Sequence, residues 1–337
     1  MKDIRENARA LMKGYCRVCP ECNGRACAGE VPGMGGLGTG AAFKDNVAAL
    51  KEVRFNMCLV HDVAEPDTRV SILGKDLALP VLAAPIGGVS FNMGGQVSEE
   101  DYIGAVIRGC LGAGIIGCTG DGVPDEIHEA GLAGIRAAGG HGIPFIKPWG
   151  SDELFKKIEK VKACGTDIMG IDIDAAGLVT LKKMGRPVLP KTVAELGEII
   201  KRADMKFILK GVMGVADARA AVSAGADAIV VSNHGGRVLD SVPGTARVLP
   251  EISRAVGADI RVLVDGGVRN GGDVLKLLAL GADGVMVGRP FAIAAMGGLE
   301  DGVTAYIDKI ATELEQAMVM TGTAKAAQVP DSILATL

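Results

Sequence analysis

The sequence predicts an α/β chain folded as one closed (β/α)8 barrel behind an N-terminal helical, loop-rich cap, and three observations carry that prediction. Eight short apolar runs recur from about residue 80, each ending in Gly, Pro or a polar residue and each separated from the next by a helical pattern. The runs are apolar on both faces, as parallel strands covered on both sides must be. Eight such units close a barrel, whereas an open doubly wound sheet needs fewer strands and a G-x-G-x-x-G turn after the first. Here the first run ends in Ala84-Pro85-Ile86-Gly87-Gly88, which is not that turn.

Residues 1–79 form the cap segment and carry a cluster of cysteines. Residues 80–302 form the TIM barrel. Its strands are VLAAP from Val81, GIIGCTG from Gly114, IPFIKP from Ile143, IMGIDID from Ile168, KFILKG from Lys206, AIVVSNH from Ala228, RVLVDGG from Arg261 and GVMVGRP from Gly284. Amphipathic stretches between them, such as Ser151–Cys164, Thr192–Ala203, Val215–Ala224 and Gly272–Leu280, supply the helices. Four joins read Gly-Ala, at Gly112, Gly225, Gly257 and Gly281. A glycine there is expected to take the left-handed conformation that ends a helix. Residues 303–337 read as a closing helix, from about Val303 to Thr321, plus a tail.

Composition narrows the function. Of 337 residues, 48% are apolar and 23% charged, so the chain can bury a large core. Aromatics are only 3% and the formal charge is −4, which argues against a nucleic-acid binder needing stacking platforms or a basic field. No apolar run is long enough to cross a bilayer. The start, MKDIRENARALMKGY, lacks the apolar centre of a signal peptide, so the expected address is cytoplasmic. The eight cysteines are then expected to be reduced unless they bind metal.

In a barrel of this kind the active site lies where the strands end. The polar groups standing there are Thr119, Asp121, Lys147, Asp172, Asp174, Lys210, Ser232, Asn233, His234, Arg237, Asp265, Arg269 and Arg289. Asp265-Gly266-Gly267 closes the seventh strand and Gly288-Arg289-Pro290 the eighth. Loops after these two strands are the usual phosphate site of such barrels, because glycines let backbone N–H groups reach the oxygens. Arg289 and Arg269 are expected to add charge-assisted contacts. By itself this end says phosphate, and does not separate one phosphorylated cofactor from another.

The sixth strand narrows the choice. Ser232–Asp240 reads SNHGGRVLD, which closely resembles the signature SNHGGRQLD of the FMN-dependent 2-hydroxy-acid oxidase and dehydrogenase family, with Val238 in place of Gln. FKDNVAAL at Phe43, ILKGV at Ile208 and DGGVRNGGDVLKLLALGADGVMVGRP from Asp265 also resemble family segments in family order. The resemblance implies FMN as cofactor and a small 2-hydroxy acid as substrate. The chemistry needs a base for the hydroxyl proton, and His234 suits it because imidazole titrates near neutral pH. It needs a cation for the carboxylate, and Arg237 offers a planar fork. By resemblance, Lys210 stabilises charge on the reduced flavin and Asp174 orients the histidine, with Asp172 a weaker alternative. The cofactor is expected to touch Ala84, Pro85, Ile86, Thr119, Asp172, Lys210, Ser232, His234, Gly235, Asp265, Gly266, Gly267, Arg269, Gly288 and Arg289.

Three family features are missing, all on the substrate side. One tyrosine falls at Pro32 or Gly33, a second at Lys147, and an arginine falls near Leu181, where Lys182, Lys183 or Arg186 could compensate. A cationic Lys147 would bind substrate and suit a more acidic or phosphorylated one. The cap adds Cys16, Cys19, Cys22 and Cys27 in the spacing C-x2-C-x2-C-x4-C, which typical members lack. That spacing reads as metal binding, either an iron–sulfur cluster or a four-cysteine zinc site, or alternatively as free thiols or disulfides. Two other enzyme classes share the phosphate end. A type 2 isopentenyl diphosphate isomerase-like barrel has no need of the His234–Arg237 pair. An inosine monophosphate dehydrogenase-like enzyme needs a cysteine where Asn233 and His234 stand. A non-catalytic flavin binder has no reason to keep His234, Arg237 and Lys210 together. The family implies a homotetramer and leaves the electron acceptor open among oxygen, a quinone and a protein.

Overall fold

The computed structural model describes residues 1–335. A two-stranded antiparallel hairpin, β1 (Val70–Ile72) and β2 (Lys75–Leu77), precedes eight parallel strands. These are β3 (Val81–Ala83), β4 (Ile116–Thr119), β5 (Ile143–Ile146), β6 (Ile168–Asp172), β7 (Lys206–Val212), β8 (Ala228–Val231), β9 (Arg261–Val264) and β10 (Gly284–Val287). They close in the order β10-β3-β4-β5-β6-β7-β8-β9, so every barrel strand has two neighbours and none is an edge. The eight apolar runs are these eight strands. All but the first residues of β7 and β9 and the near-terminal Gly211 are buried.

The helices follow their end signals. Ser98 accepts from the Asp101 amide at 3.0 Å, Asn270 from the Asp273 amide at 2.9 Å, and Thr192 with Glu195 makes a reciprocal capping box. Of the four Gly-Ala joins, Gly225 (φ 90°) and Gly281 (φ 104°) are left-handed as expected. The other two differ. Gly112 stays inside its helix and hands the left-handed turn to Gly114 (φ 69°), while Gly257 is right-handed.

The cap departs from expectation by containing the β1–β2 hairpin, which plugs the barrel floor: a Cβ on Gly284 would lie 2.5 Å from Ile72 Cδ1. Its helices are Lys2–Leu11 and Ala41–Glu52. At the far end, helix runs from Arg289 to Thr321 and breaks at Leu299 (φ 46°). The expected boundary at 302–303 therefore falls within helix, a few residues past the break. The N-terminal helix packs on this stretch, with the Ile4 carbonyl so close to Gly297 that no side chain fits there.

One irregularity positions the site. The register of β7 against β8 slips between Lys210 and Val212, leaving Gly211 (φ 106°) as an extra residue. Such bulges re-aim side chains at barrel rims. A Cβ on Gly211 would sit 2.5 Å from Asp174 Cγ, so only glycine lets the loop after β6 lie against β7.

Candidate active site

The rim is built from the β6–β7 register outward. That register sets Asp172 beside Lys210, and the two side chains meet: Lys210 Nζ stands 2.9 Å from Asp172 Oδ1. Lys147, just past β5, donates to the other oxygen at 2.7 Å. Lys210 also lies 4.0 Å from Asp265 Oδ2, which accepts from the Ser232 hydroxyl at 2.8 Å. Ser232 Oγ in turn accepts the His234 amide at 3.0 Å, and His234 Nδ1 lies 3.0 Å from Asp174 Oδ1. Since a carboxylate only accepts, that contact puts the proton on Nδ1 and the free lone pair on Nε2.

His234 is held in a backbone conformation that side chains seldom adopt. Its φ is 56°, and Gly235 and Gly236 follow at 63° and 78°. The two glycines are needed for space as well as for conformation. A Cβ on Gly235 would meet Arg289 Nη1 at 2.6 Å, and one on Gly236 would meet the Phe43 amide nitrogen at 2.5 Å.

The opposite wall is made of arginines facing the cap. Arg237 Nη1 donates to the carbonyls of Gly33 (2.5 Å) and Gly35 (3.2 Å), and Nη2 to Asn92 Oδ1 (2.9 Å). That occupies three of its five N–H bonds and leaves two. Arg289 donates to the carbonyls of Met34, Gly35 and Gly235 and stacks 3.7 Å above the Phe43 ring. Arg269 donates to the Cys22 carbonyl through two nitrogens, at 3.0 and 2.9 Å.

Between the walls lies a cavity of about 360 Å3, within the range of small-molecule sites. Of the residues expected at the cofactor, Ala84, Pro85, Ile86, Lys210, His234, Gly235, Asp265, Gly266, Gly267, Arg269, Gly288 and Arg289 line it, as do Lys147 and Arg237. Thr119, Asp172 and Ser232 do not. Thr119 points outward against Gly131, where a Cβ would come within 2.8 Å of its hydroxyl, because successive strand residues face opposite sides. Asp172 and Ser232 lie behind the lining and hold Lys147, Lys210, Asp265 and the His234 amide in place. Lys147 is expected to bind substrate as a cation; it lines the cavity, and its charge is matched by Asp172. Of the three cations near Leu181, only Lys183 lines the cavity; Arg186 turns away to Glu153 at 2.6 Å. Sequence reasoning named Phe43 only as the start of a family-like segment and missed Asn92 and Met34, which are remote in sequence and carry no chemical signal of their own.

Burial and charge pull against each other here. Burial disfavours the Asp172 carboxylate, but Lys147 and Lys210 outweigh it and hold its pKa well below the usual range. Burial likewise disfavours the Lys210 ammonium, and Asp172, Asp174 and Asp265 overcome it and raise its pKa. Burial dominates at Asp265 and raises that pKa. On the other wall burial pushes Arg237 down to about 9 and Arg289 to about 10, both still cationic at neutral pH.

The cavity suits a phosphorylated flavin. Gly266 and Gly267 (φ 103° and 82°) and the helix starting at Arg289 form one end, where amides and the helix dipole favour an anion. Asp265 Oδ1 is buried with no hydrogen-bond partner among the described residues, an acceptor that awaits a donor. The comparison with known sequences decides the matter: a model of FMN-dependent dehydrogenases matches residues 33–191 and 180–336. The chain belongs to the FMN-dependent dehydrogenase family. The chain is 34% identical to a 4-hydroxymandelate oxidase of Amycolatopsis orientalis, over 86% of this chain and 88% of that one. An L-lactate dehydrogenase of Caulobacter sp. (strain K31) is 55% identical over 131 residues, 38% of this chain and 34% of the other. A crystal structure of mandelate oxidase superposes with a TM-score of 0.79 at 27% identity, covering 99% of this chain and 97% of that one. A mandelate oxidase variant with a monooxide FMN adduct gives 0.73 at 31% identity, over 92% and 98%. The chain is thus an FMN-dependent oxidoreductase on a (β/α)8 barrel. No helix among the described residues is long and apolar enough to cross a membrane.

Proposed function

We propose that the enzyme oxidises a small 2-hydroxy acid to the 2-oxo acid, with His234 as base and Arg237 as carboxylate anchor. The observation that carries this reading is the His234–Asp174 contact at the rim of a cavity that Arg237 also lines. When bound, FMN supplies the hydride acceptor. Nε2 of His234 takes the hydroxyl proton, and Asp174, a positioning residue, holds the ring and balances the imidazolium. The two N–H bonds that Arg237 keeps free grip the carboxylate. Lys210, fixed by Asp172, presents a permanent positive charge to the cofactor. The phosphate would rest on Gly266, Gly267, Gly288 and the helix start at Arg289, with Arg269 beside it.

The relatives named above act on a hydroxymandelate, on mandelate or on lactate, which supports a 2-hydroxy acid and leaves its side chain open. Lys183 and Thr180 line the cavity and favour a substrate with a second polar or anionic group. The test is a panel of mono- and dicarboxylic 2-hydroxy acids mixed with FMN-loaded enzyme without oxygen. Rapid bleaching by at least one of them is expected, and a flavin that none reduces would sink the reading. Reoxidation by oxygen, a quinone or an electron carrier protein then identifies the acceptor. Family resemblance also supports a homotetramer, which light scattering tests.

A further inference from the structure

Four cysteines stand outside the flavin chemistry, and the fold gathers them. Cys16, Cys19, Cys22 and Cys27 all line one small cavity against the last helix, walled by Met34 and Arg289, two residues that also line the flavin cavity. The loop that carries them is fastened from outside. Arg5 donates to the Cys19 carbonyl at 2.6 Å, Arg9 to the Val18 carbonyl at 2.9 Å and Arg269 to the Cys22 carbonyl. Two N–H groups also point at sulfur: the Val18 amide at Cys16 Sγ (3.4 Å) and Arg269 Nη2 at Cys22 Sγ (3.5 Å).

The spacing of the sulfurs discriminates between metals. Zinc–sulfur bonds of about 2.3 Å would bring four tetrahedral thiolates to about 3.8 Å from one another. A cubane cluster spreads its four thiolates to roughly 6–7 Å. Among the described residues, no three of these sulfurs lie within 4.8 Å of one another. The cavity that the four cysteines share with Met34, Arg289 and Ile293 measures about 20 Å3, room for about one water. All four cysteines are free of disulfides.

We infer that Cys16, Cys19, Cys22 and Cys27 hold a [4Fe–4S] cluster. Its four thiolates and cubane carry net negative charge, and the half-buried guanidiniums of Arg269 and Arg289 face it without a carboxylate of their own. N–H donors on sulfur are the contacts such clusters use to set their potential.

The test takes the full-length protein, purified without oxygen and supplied with ferrous iron and sulfide, with a parallel sample given zinc alone. About four iron and four acid-labile sulfide per chain are expected, with a low-temperature paramagnetic resonance signal after dithionite reduction. The double variant Cys19→Ser/Cys22→Ser is expected to lose at least nine-tenths of the iron, and Cys58→Ser to keep it. FMN content in the same samples reports whether the barrel has folded. If the double variant does not fold, the iron-to-sulfide ratio and the resonance signal of the native protein decide. One zinc per chain without sulfide, no bound metal, or full iron in the folded double variant overturns the assignment. None of these readings involves a 2-hydroxy acid, so they stand or fall apart from the proposed reaction.

Discussion

The two walls of the cavity solve the problem of buried charge in opposite ways. On the strand side, Lys147 and Lys210 share Asp172, with Asp265 and Asp174 close by: two cations against three anions, and the imidazole of His234 beside them. Taking up the substrate proton would bring that count to neutrality. On the cap side, Arg237, Arg269 and Arg289 have no carboxylate within 4 Å among the described residues and rest on carbonyls, the Asn92 amide oxygen and the Phe43 ring. Carbonyls satisfy N–H bonds without cancelling charge. The strand side is therefore complete in itself, and the cap side keeps positive charge for anions that arrive from outside.

The largest expected effect is on the reaction. His234→Gln keeps the bulk of the side chain and removes the proposed base. It should slow anaerobic flavin reduction by about 10^2- to 10^4-fold while FMN stays bound. A variant that reduces its flavin at the normal rate would show that the proton leaves by another route, and the strand side would lose its catalytic meaning.

Next is the self-sufficiency of that side. Asp172→Asn leaves two buried ammonium groups facing each other, and removing one partner of a buried pair costs about 3–5 kcal/mol. The loss should appear as a lower urea midpoint. The sign with pH follows from the direction of the shift. Because the folded-state pKa of Asp172 lies below its ordinary 3.8, the carboxylate's contribution is complete above that value and fades as pH falls below it. Wild type and variant should therefore converge in acid. A difference that persists unchanged at low pH would mean that packing, not charge, sets the cost.

How much of this was legible in the sequence divides along the same line. The strand side was open to reading because local chemistry is repeated eight times. Apolar runs end in polar residues, and the alternation that buries Ile171 in the core also carries Asp172 to the rim. What periodicity did not give was facing: Thr119 sits at a strand end like the others but points at a helix, and Lys147 is cationic yet already paired. Both facts depend on neighbours from other strands. The cap side was nearly opaque. Phe43, Asn92 and the carbonyls of Gly33, Met34 and Gly35 reach Arg237 and Arg289 through contacts about 145 to 255 residues apart in sequence, and a backbone carbonyl has no residue type to betray it.

Arg237→Met tests the cap side directly. The cation has no anionic partner to leave behind, but its three cap acceptors lose their donor, so stability should fall by about 1–3 kcal/mol, less than for Asp172→Asn. Substrate binding should suffer instead. Losing a charged hydrogen-bonded contact costs about 1.5–3 kcal/mol, or about 10- to 150-fold in KM, with a smaller change in kcat. An unfolding loss as large as that of Asp172→Asn would break the contrast between the walls, because it would mean that the arginine stabilises the cap rather than waiting for a carboxylate.

The smallest effect separates two jobs of glycine, one at a helix end before β8 and one where the walls meet. Gly225 and Gly236 are both left-handed, at φ 90° and 78°. A Cβ on Gly225 meets nothing within 4 Å, whereas one on Gly236 would lie 2.5 Å from the Phe43 backbone. Gly225→Ala should therefore cost only the conformational penalty of about 1–2 kcal/mol. Gly236→Ala bears the same penalty and must also push the cap helix away from the rim, moving the loop of carbonyls that holds Arg237 and Arg289. Its unfolding midpoint should fall further than that of Gly225→Ala, and its KM should rise. Equal midpoints and an unchanged KM would show that the cap yields without disturbing the arginines, and that the cap-side wall is softer than its contacts suggest.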